Sequence, residues 1–345
     1  MKILNPILRI AALLLFMVTT QAQERDIPKL TGPYLGQKPP GKTPEPFTPD
    51  IFKSNWDLFG FHSVIIFSPD GGEAYWQGGR LSPNDPMGIR VSKIENEIWT
   101  SAQLAPFSKN NNGDDCPFIS PDGRKIFFLS NRQMTEEDQP ESEPKPSRSM
   151  MNSQNENLLR EKREKIWVSE RMGNSWSEPK PLPPSINSLS KHWQISVDRK
   201  GNLYFGVWKV DPISGGTIEH DIYCSGYEDG QYHKPEKLGP EINEPGSRQY
   251  SPYISSDGSY IIFSRVAPTS KPIRPILYIS YRNYEGEWTK SIALDNIVRF
   301  DKSMSNATVT HDGKYMFFLS NNGKEVYWVD AGFIEELRKK ELHED

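Results

Sequence analysis

The sequence predicts an all-β fold, a β-propeller of four-stranded blades, and two observations carry that prediction. Five times a short apolar run ends in a polar-Gly turn and is followed by a second apolar run. The copies are FHSVIIFSPDGGEAYW, DDCPFISPDGRKIFF, HWQISVDRKGNLYF, QYSPYISSDGSYIIF and MSNATVTHDGKYMFF, with turn glycines Gly71, Gly123, Gly201, Gly258 and Gly313. Asp-Gly between two strand-like runs is a strong hairpin signal, because both residues tolerate the left-handed backbone of a tight turn. The second observation is that each of the first four units has a second half, another strand-like run and turn ending on an aromatic: Trp99, Trp176, Tyr232 and Trp288. A leucine follows (Leu104, Leu182, Leu238, Leu294), and twice an Ile-Asn pair closes the unit, Ile186-Asn187 and Ile242-Asn243. Four short strands per repeat make a propeller blade. The alternative, a long β-sandwich, needs no aromatic at a fixed place in each repeat.

The glycines lie 52, 78, 57 and 55 residues apart. Removing the charged stretch from Gln133 to Lys165 brings the outlier to about 45, near a propeller period. Five blades are expected, with six the alternative. The fifth unit lacks its fourth strand, since after Glu325–Val329 the pattern turns helical, with Phe333, Ile334 and Leu337 among charges. An open ring would expose sheet edges, so the missing strand is expected from the N-terminal lead, where Glu45–Ile51 resembles the segment that ends the second unit. The expected organisation is a signal peptide over 1–22, an extended lead with the closing strand over 23–57, and the propeller over 58–330. Within the propeller, 133–165 reads as a disordered insertion, and a C-terminal helix follows over 331–345.

Lys2 and Arg9 precede the apolar run Ile10–Val18, and Thr20-Gln21-Ala22 offers small residues for cleavage. The run is too short to span a bilayer, so export to the periplasm or medium is expected, with no membrane span after cleavage. The net charge of −4 has no basic patch, which excludes nucleic acid as the expected partner. The two cysteines, Cys116 and Cys224, fall in different units and read as buried thiols.

Ser120-Pro121-Asp122-Gly123 with the aromatic strand after it resembles the WD40-like repeat of TolB-type propellers, common in bacterial envelope proteins. The resemblance covers about residues 45 to 330. Unit three departs from it with Asp198-Arg199-Lys200-Gly201, and TolB itself is usually described with six blades. The resemblance implies an exported propeller that presents faces to partners, and the motif specifies a turn rather than a chemistry.

No nucleophile elbow, zinc-helix motif, phosphate loop or paired-cysteine motif occurs. Site residues are therefore sought at shared repeat positions. Nine residues before the turn glycines stand His62, Asp114, His192, Gln249 and Met304, and the next position carries Ser63, Asp115, Trp193, Tyr250 and Ser305. Second strands end in Arg80, Asn131-Arg132, Trp208-Lys209, Arg265 and Asn321. These should gather at the mouth opposite the turns. One reading has them capping loops and holding channel water. The other has Trp193 and Tyr250 stacking on a small ligand, a saccharide or peptide end, with Arg132 and Arg265 holding a carboxylate. The role expected is a binding or scaffold module for a small envelope ligand or a protein partner, without a cofactor. The alternative is a carbohydrate-active lyase or hydrolase. In that variant His62 and His192, with Gln249 or Gln194 and with Asp114 or Asp115, would hold a divalent metal, an arrangement that resembles the oligogalacturonate-lyase propellers. The Gln133–Lys165 insertion would sit at the same mouth, as a tolerated loop or as a lid.

Overall fold

The structure is a computed structural model that describes residues 30–49, 62–78, 88–108, 113–135, 164–189, 191–210, 217–268, 273–320 and 323–343. The expected signal peptide, most of the 133–165 insertion, and Arg80 and Asn321 lie outside these. Alternation of apolar and polar residues builds five antiparallel sheets, one per repeat. Their innermost strands are Ile66–Phe67, Asp115–Ile119, Lys191–Val197, Arg248–Ile254 and Ser305–Val309. Each pairs with a second strand, Glu73–Gly78, Lys125–Ser130, Leu203–Val210, Tyr260–Val266 or Tyr315–Ser320, across the Gly turn. Third strands and two-residue outer strands complete the blades. Successive inner strands pack against one another, and the Asn306 side chain of blade five donates to the His62 carbonyl beside blade one. The chain is a five-bladed propeller.

The turns explain the repeated letters. In blade two Ser120 Oγ donates to Asp122 Oδ1 at 2.6 Å, that oxygen accepts the Arg124 N–H, and Gly123 takes φ +70°. Ser68 with Asp70, Ser255 with Asp257 and Thr310 with Asp312 repeat the pattern. Unit three departs because Asp198 stands in the serine position and its own carboxylate accepts from Lys200 and Asn202 N–H groups. The Ile-Asn pairs also find their reason. Asn187 bonds the Ile166 N–H and the Ile166 and Leu182 carbonyls, and Asn243 does the same at Ile222 and Leu238. Each asparagine ties an outer strand to a third strand.

A feature without a sequence signal is the bulge near the start of four inner strands. Cys116, Gln194, Ser251 and Asn306, all seven residues before the turn glycine, sit at φ +50°, +45°, +54° and +53°. The strand registers shift at these places. Left-handed backbone costs a non-glycine residue about 1 kcal/mol or more, so the surroundings must hold it. Ser251 Oγ donates to Asn306 Oδ1 at 3.0 Å and the Asn306 N–H to Ser264 Oγ at 3.0 Å. A bulge bends its strand and re-aims the flanking side chains.

Closure follows the sequence expectation. Glu45–Pro46 pairs with Glu325–Asp330, Glu45 opposite Trp328 and Pro46 opposite Tyr327. Phe47 continues the seam, its N–H donating to the Val326 carbonyl at 2.8 Å. Its ring, 2% exposed, meets Phe317 and Trp328 at 5.0 Å each. The preceding segment crosses to blade one, where Trp99 Nε1 donates to the Gly32 carbonyl at 2.7 Å and Tyr34 packs among Phe67, Tyr315 and Trp328. Phe333–Leu342 is helical, with Glu335 and Glu336 in its first turn and Lys339 and Lys340 in its last, each complementing the helix dipole. Tyr281 Oη donates to the Ile334 carbonyl and anchors the helix to blade four.

Candidate functional site

The mouth opposite the turns carries an aromatic wall built by blades three and four. Registered partners in an antiparallel sheet share a face, and Lys191, Trp208 and His220 stand opposite one another across three strands of blade three. Trp193, two residues after Lys191, joins the same face. Its partner is Gly206, where a Cβ would lie 2.8 Å from the Trp193 carbonyl oxygen, so the glycine makes the room. The Tyr250 ring of blade four stacks on His220 at 5.0 Å, and His220 stacks on Trp208 at 5.5 Å, each pair 15° from parallel. Trp193 stands edge-on to both Trp208 and His220, and Lys191 Nζ lies 5.3 Å from the Trp193 ring and 5.1 Å from that of Trp208. Trp193 Nε1 and His220 Nε2 have no hydrogen-bond partner among the described residues.

Beyond Trp193, at 6.3 Å, lies His62, and its Nδ1 is 2.9 Å from Asp115 Oδ2. The Asp115 bond and charge hold the His62 pKa above the ordinary histidine value, against the opposing effect of burial. Glu164 adds a second carboxylate, 3.5 Å from Lys191 Nζ. Burial, aided by Asp115, raises its pKa, and Lys191 opposes the rise. Burial lowers His220 to about 4, assisted by the positive charges of Arg248 and Lys191. The wall therefore presents a neutral imidazole, and its lip carries a His-Asp pair able to hold and release a proton.

The structure brings His62, Asp115, Trp193 and Tyr250 together and turns the others away. Asp114 is buried and accepts from Ser108, Ser130 and Arg132. Arg132, expected to hold a ligand carboxylate, instead pairs with Asp114 at 2.7 Å, donates to the Phe107 carbonyl and lies over the Phe128 and Trp167 rings. Arg265, given the same role, donates to the Ile242 carbonyl and Ser291 Oγ at 3.0 Å each and lies 4.3 Å from the Tyr278 ring. His192 is fully buried edge-on to Phe205, its pKa lowered to about 3 by burial. Gln249 is also fully buried and donates to the Glu244 carbonyl. His62, His192 and Gln249 thus do not form one ligand set, and among the described residues no three His, Cys, Asp or Glu side chains are placed to hold a metal ion. Both cysteines are free thiols.

Sequence reasoning missed His220, Arg248, Lys191 and Glu164. A signal for two of them exists. Lys191-His192-Trp193 and Arg248-Gln249-Tyr250 repeat a cation, a buried polar residue and an aromatic at the same distance from the turn glycine.

The fixed blade aromatics serve the seams. Trp176 Nε1 donates to Tyr75 Oη of blade one, under Arg171, which forks onto Glu73 at 3.1 and 2.6 Å. Arg282 lies 4.4 Å from the Trp288 ring and reaches Tyr204 Oη of blade three. A separate groove of about 890 Å³ opens at the turn face between blades five and one, lined by Tyr34, Ile94, His311 and Lys314 among others. His311 is half-buried there, and its pKa is lowered by burial.

No protein-family model and no curated protein matches the chain. Among solved structures it is similar to a gluconolactonase from Xanthomonas campestris, at 12% identity over 76% of this chain and 70% of that one, with a TM-score of 0.40. It is also similar to the β-propeller domain of the Trilobed protease from Pyrococcus furiosus, at 17% identity, 75% and 64% coverage and a TM-score of 0.38. Similarity to the Pyrococcus horikoshii acylaminoacyl peptidase, at 20% identity and a TM-score of 0.38, covers 75% of this chain and 35% of the peptidase. The chain spans 30% of the length of a prolyl endopeptidase that it also matches.

Proposed function

We propose that the chain is an exported, TolB-like propeller that acts as a binding module and takes a small ligand with a flat ring face at the mouth. The observation that carries this reading is the wall of four rings, Trp193, Trp208, His220 and Tyr250, converging from two blades. Aromatic rings beside unpaired N–H and N groups are the furniture of a site that recognises hydroxyl-bearing rings by stacking and hydrogen bonding. The leader read from residues 1–22 supports an envelope or extracellular setting. The test is calorimetric titration of the purified protein with a panel of oligosaccharides and short peptides, repeated with Trp193→Ala and Tyr250→Ala. Binding that weakens at least tenfold in both variants is expected; binding that neither variant alters overturns the assignment.

The His62–Asp115 pair at the lip favours a second reading, acid–base chemistry on the bound ligand, as in a lyase or hydrolase. Product formation from any ligand of that panel, lost in His62→Ala with binding retained, would establish it.

A further inference from the structure

Among the described residues, the charged side chains at this mouth face near partners, Arg248 excepted. Asp115 faces His62 at 2.9 Å, Glu164 faces Lys191 at 3.5 Å, and Lys209 faces Glu219 at 2.6 Å. Arg132 is committed to Asp114, and Arg265 to the Ile242 carbonyl, Ser291 and Glu244. Arg248 makes no side-chain hydrogen bond, ion pair or ring contact with any described residue. It precedes Tyr250 by two positions ahead of the bulge, so both side chains project from the same face of the inner strand. That face is where Tyr250 meets His220. Arg248 is half-buried, and its charge is felt at both His220 and Tyr250. A half-buried guanidinium with no counter-ion is costly unless a ligand supplies one, and its planar fork matches a carboxylate.

We propose that the ligand carries a carboxylate held by Arg248 beside a ring laid on the Trp193–Tyr250 wall. This inference rests on the mouth being the ligand site, and it transfers to Arg248 the anion-holding task that sequence position assigned to Arg132 and Arg265. The chemistry is a ring-faced carboxylate, and two sources supply it: an acidic sugar, or the C-terminal carboxylate of a peptide that ends in an aromatic residue.

The experiment uses two matched pairs of probes, cellobiuronate against cellobiose and Ala-Phe against Ala-Phe-amide, titrated calorimetrically into wild-type protein, Arg248→Gln and Arg248→Lys. One acid binds at least tenfold more tightly than its neutral mate, and the pair in which it does so names the source. Arg248→Gln removes that preference, and Arg248→Lys keeps part of it. Equal binding of acid and neutral mate, or an acid preference unchanged in Arg248→Gln, overturns the inference while leaving the mouth as a ligand site if Trp193→Ala still abolishes binding. Absence of binding by both acids overturns the inference as well. Binding of any probe that Trp193→Ala leaves intact removes the underlying site assignment instead.

Discussion

His192 gives the fold a defined sensitivity to acid. The imidazole is fully buried, neither ring nitrogen has a hydrogen-bond partner among the described residues, and burial lowers its pKa to about 3. In the unfolded chain it titrates near its ordinary value of about 6.5. Below that value the unfolded state binds a proton that the folded state refuses, so stability contributed by the neutral imidazole is present above pH 6.5 or so and is lost as pH falls toward the folded pKa. Each unit of this window is worth about 1.4 kcal/mol, which gives about 2 kcal/mol between roughly pH 7.5 and pH 5. His220, lowered to about 4, acts in the same direction. His62 acts oppositely, since its raised pKa stabilises the fold at low pH and that contribution fades as pH rises through the folded value. The substitution His192→Leu isolates one imidazole, because the other five histidines remain in both proteins. Urea unfolding of both proteins at the two pH values should show the variant losing about 2 kcal/mol less than wild type on acidification. A difference below about 0.5 kcal/mol would refute the claim that this imidazole is held neutral by burial.

Other consequences are as direct. Phe47→Ala removes the ring that seats the closing strand between Phe317 and Trp328, and should cost about 3–5 kcal/mol in urea unfolding. It should also speed amide exchange in Glu325–Asp330, the strand the lead covers; an unchanged exchange pattern would mean that the seam does not depend on it. Asp115→Asn removes the charge that raises the His62 pKa, so the His62 ring resonance should titrate closer to about 6.5 by NMR. A titration that stays where wild type has it would place the cause elsewhere.

The turn glycines, the closing strand and the terminal helix were legible because each follows from local chemistry: Asp-Gly turns, an unpaired sheet edge and apolar residues at helical spacing. The site was legible only by half. Aligning strand starts found Trp193, Tyr250, His62 and Asp115, but their neighbours His192, Gln249 and Asp114 point into the blades, because adjacent strand residues face opposite ways. Alternation alone could not be carried through the Cys116, Gln194, Ser251 and Asn306 bulges, whose left-handed backbone has no glycine to announce it. Trp208 and His220 enter from second and third strands, so their place beside Tyr250 depends on register and blade packing. The two second-strand arginines differ from expectation for a related reason: a buried guanidinium finds nearby carbonyls, polar side chains and rings of the protein before it can reach a ligand.

The most direct test of the mouth as the ligand site is the ¹⁵N-indole spectrum of the protein during titration with a ligand found by calorimetry. Trp193 lies in the wall at the mouth, whereas Trp99 donates its Nε1–H to Gly32 beside the turn-face groove. Assigned through single Trp→Phe variants, the Trp193 resonance should move and that of Trp99 should stay. Movement of Trp99 with Trp193 unchanged would place the ligand at the opposite face and contradict the account.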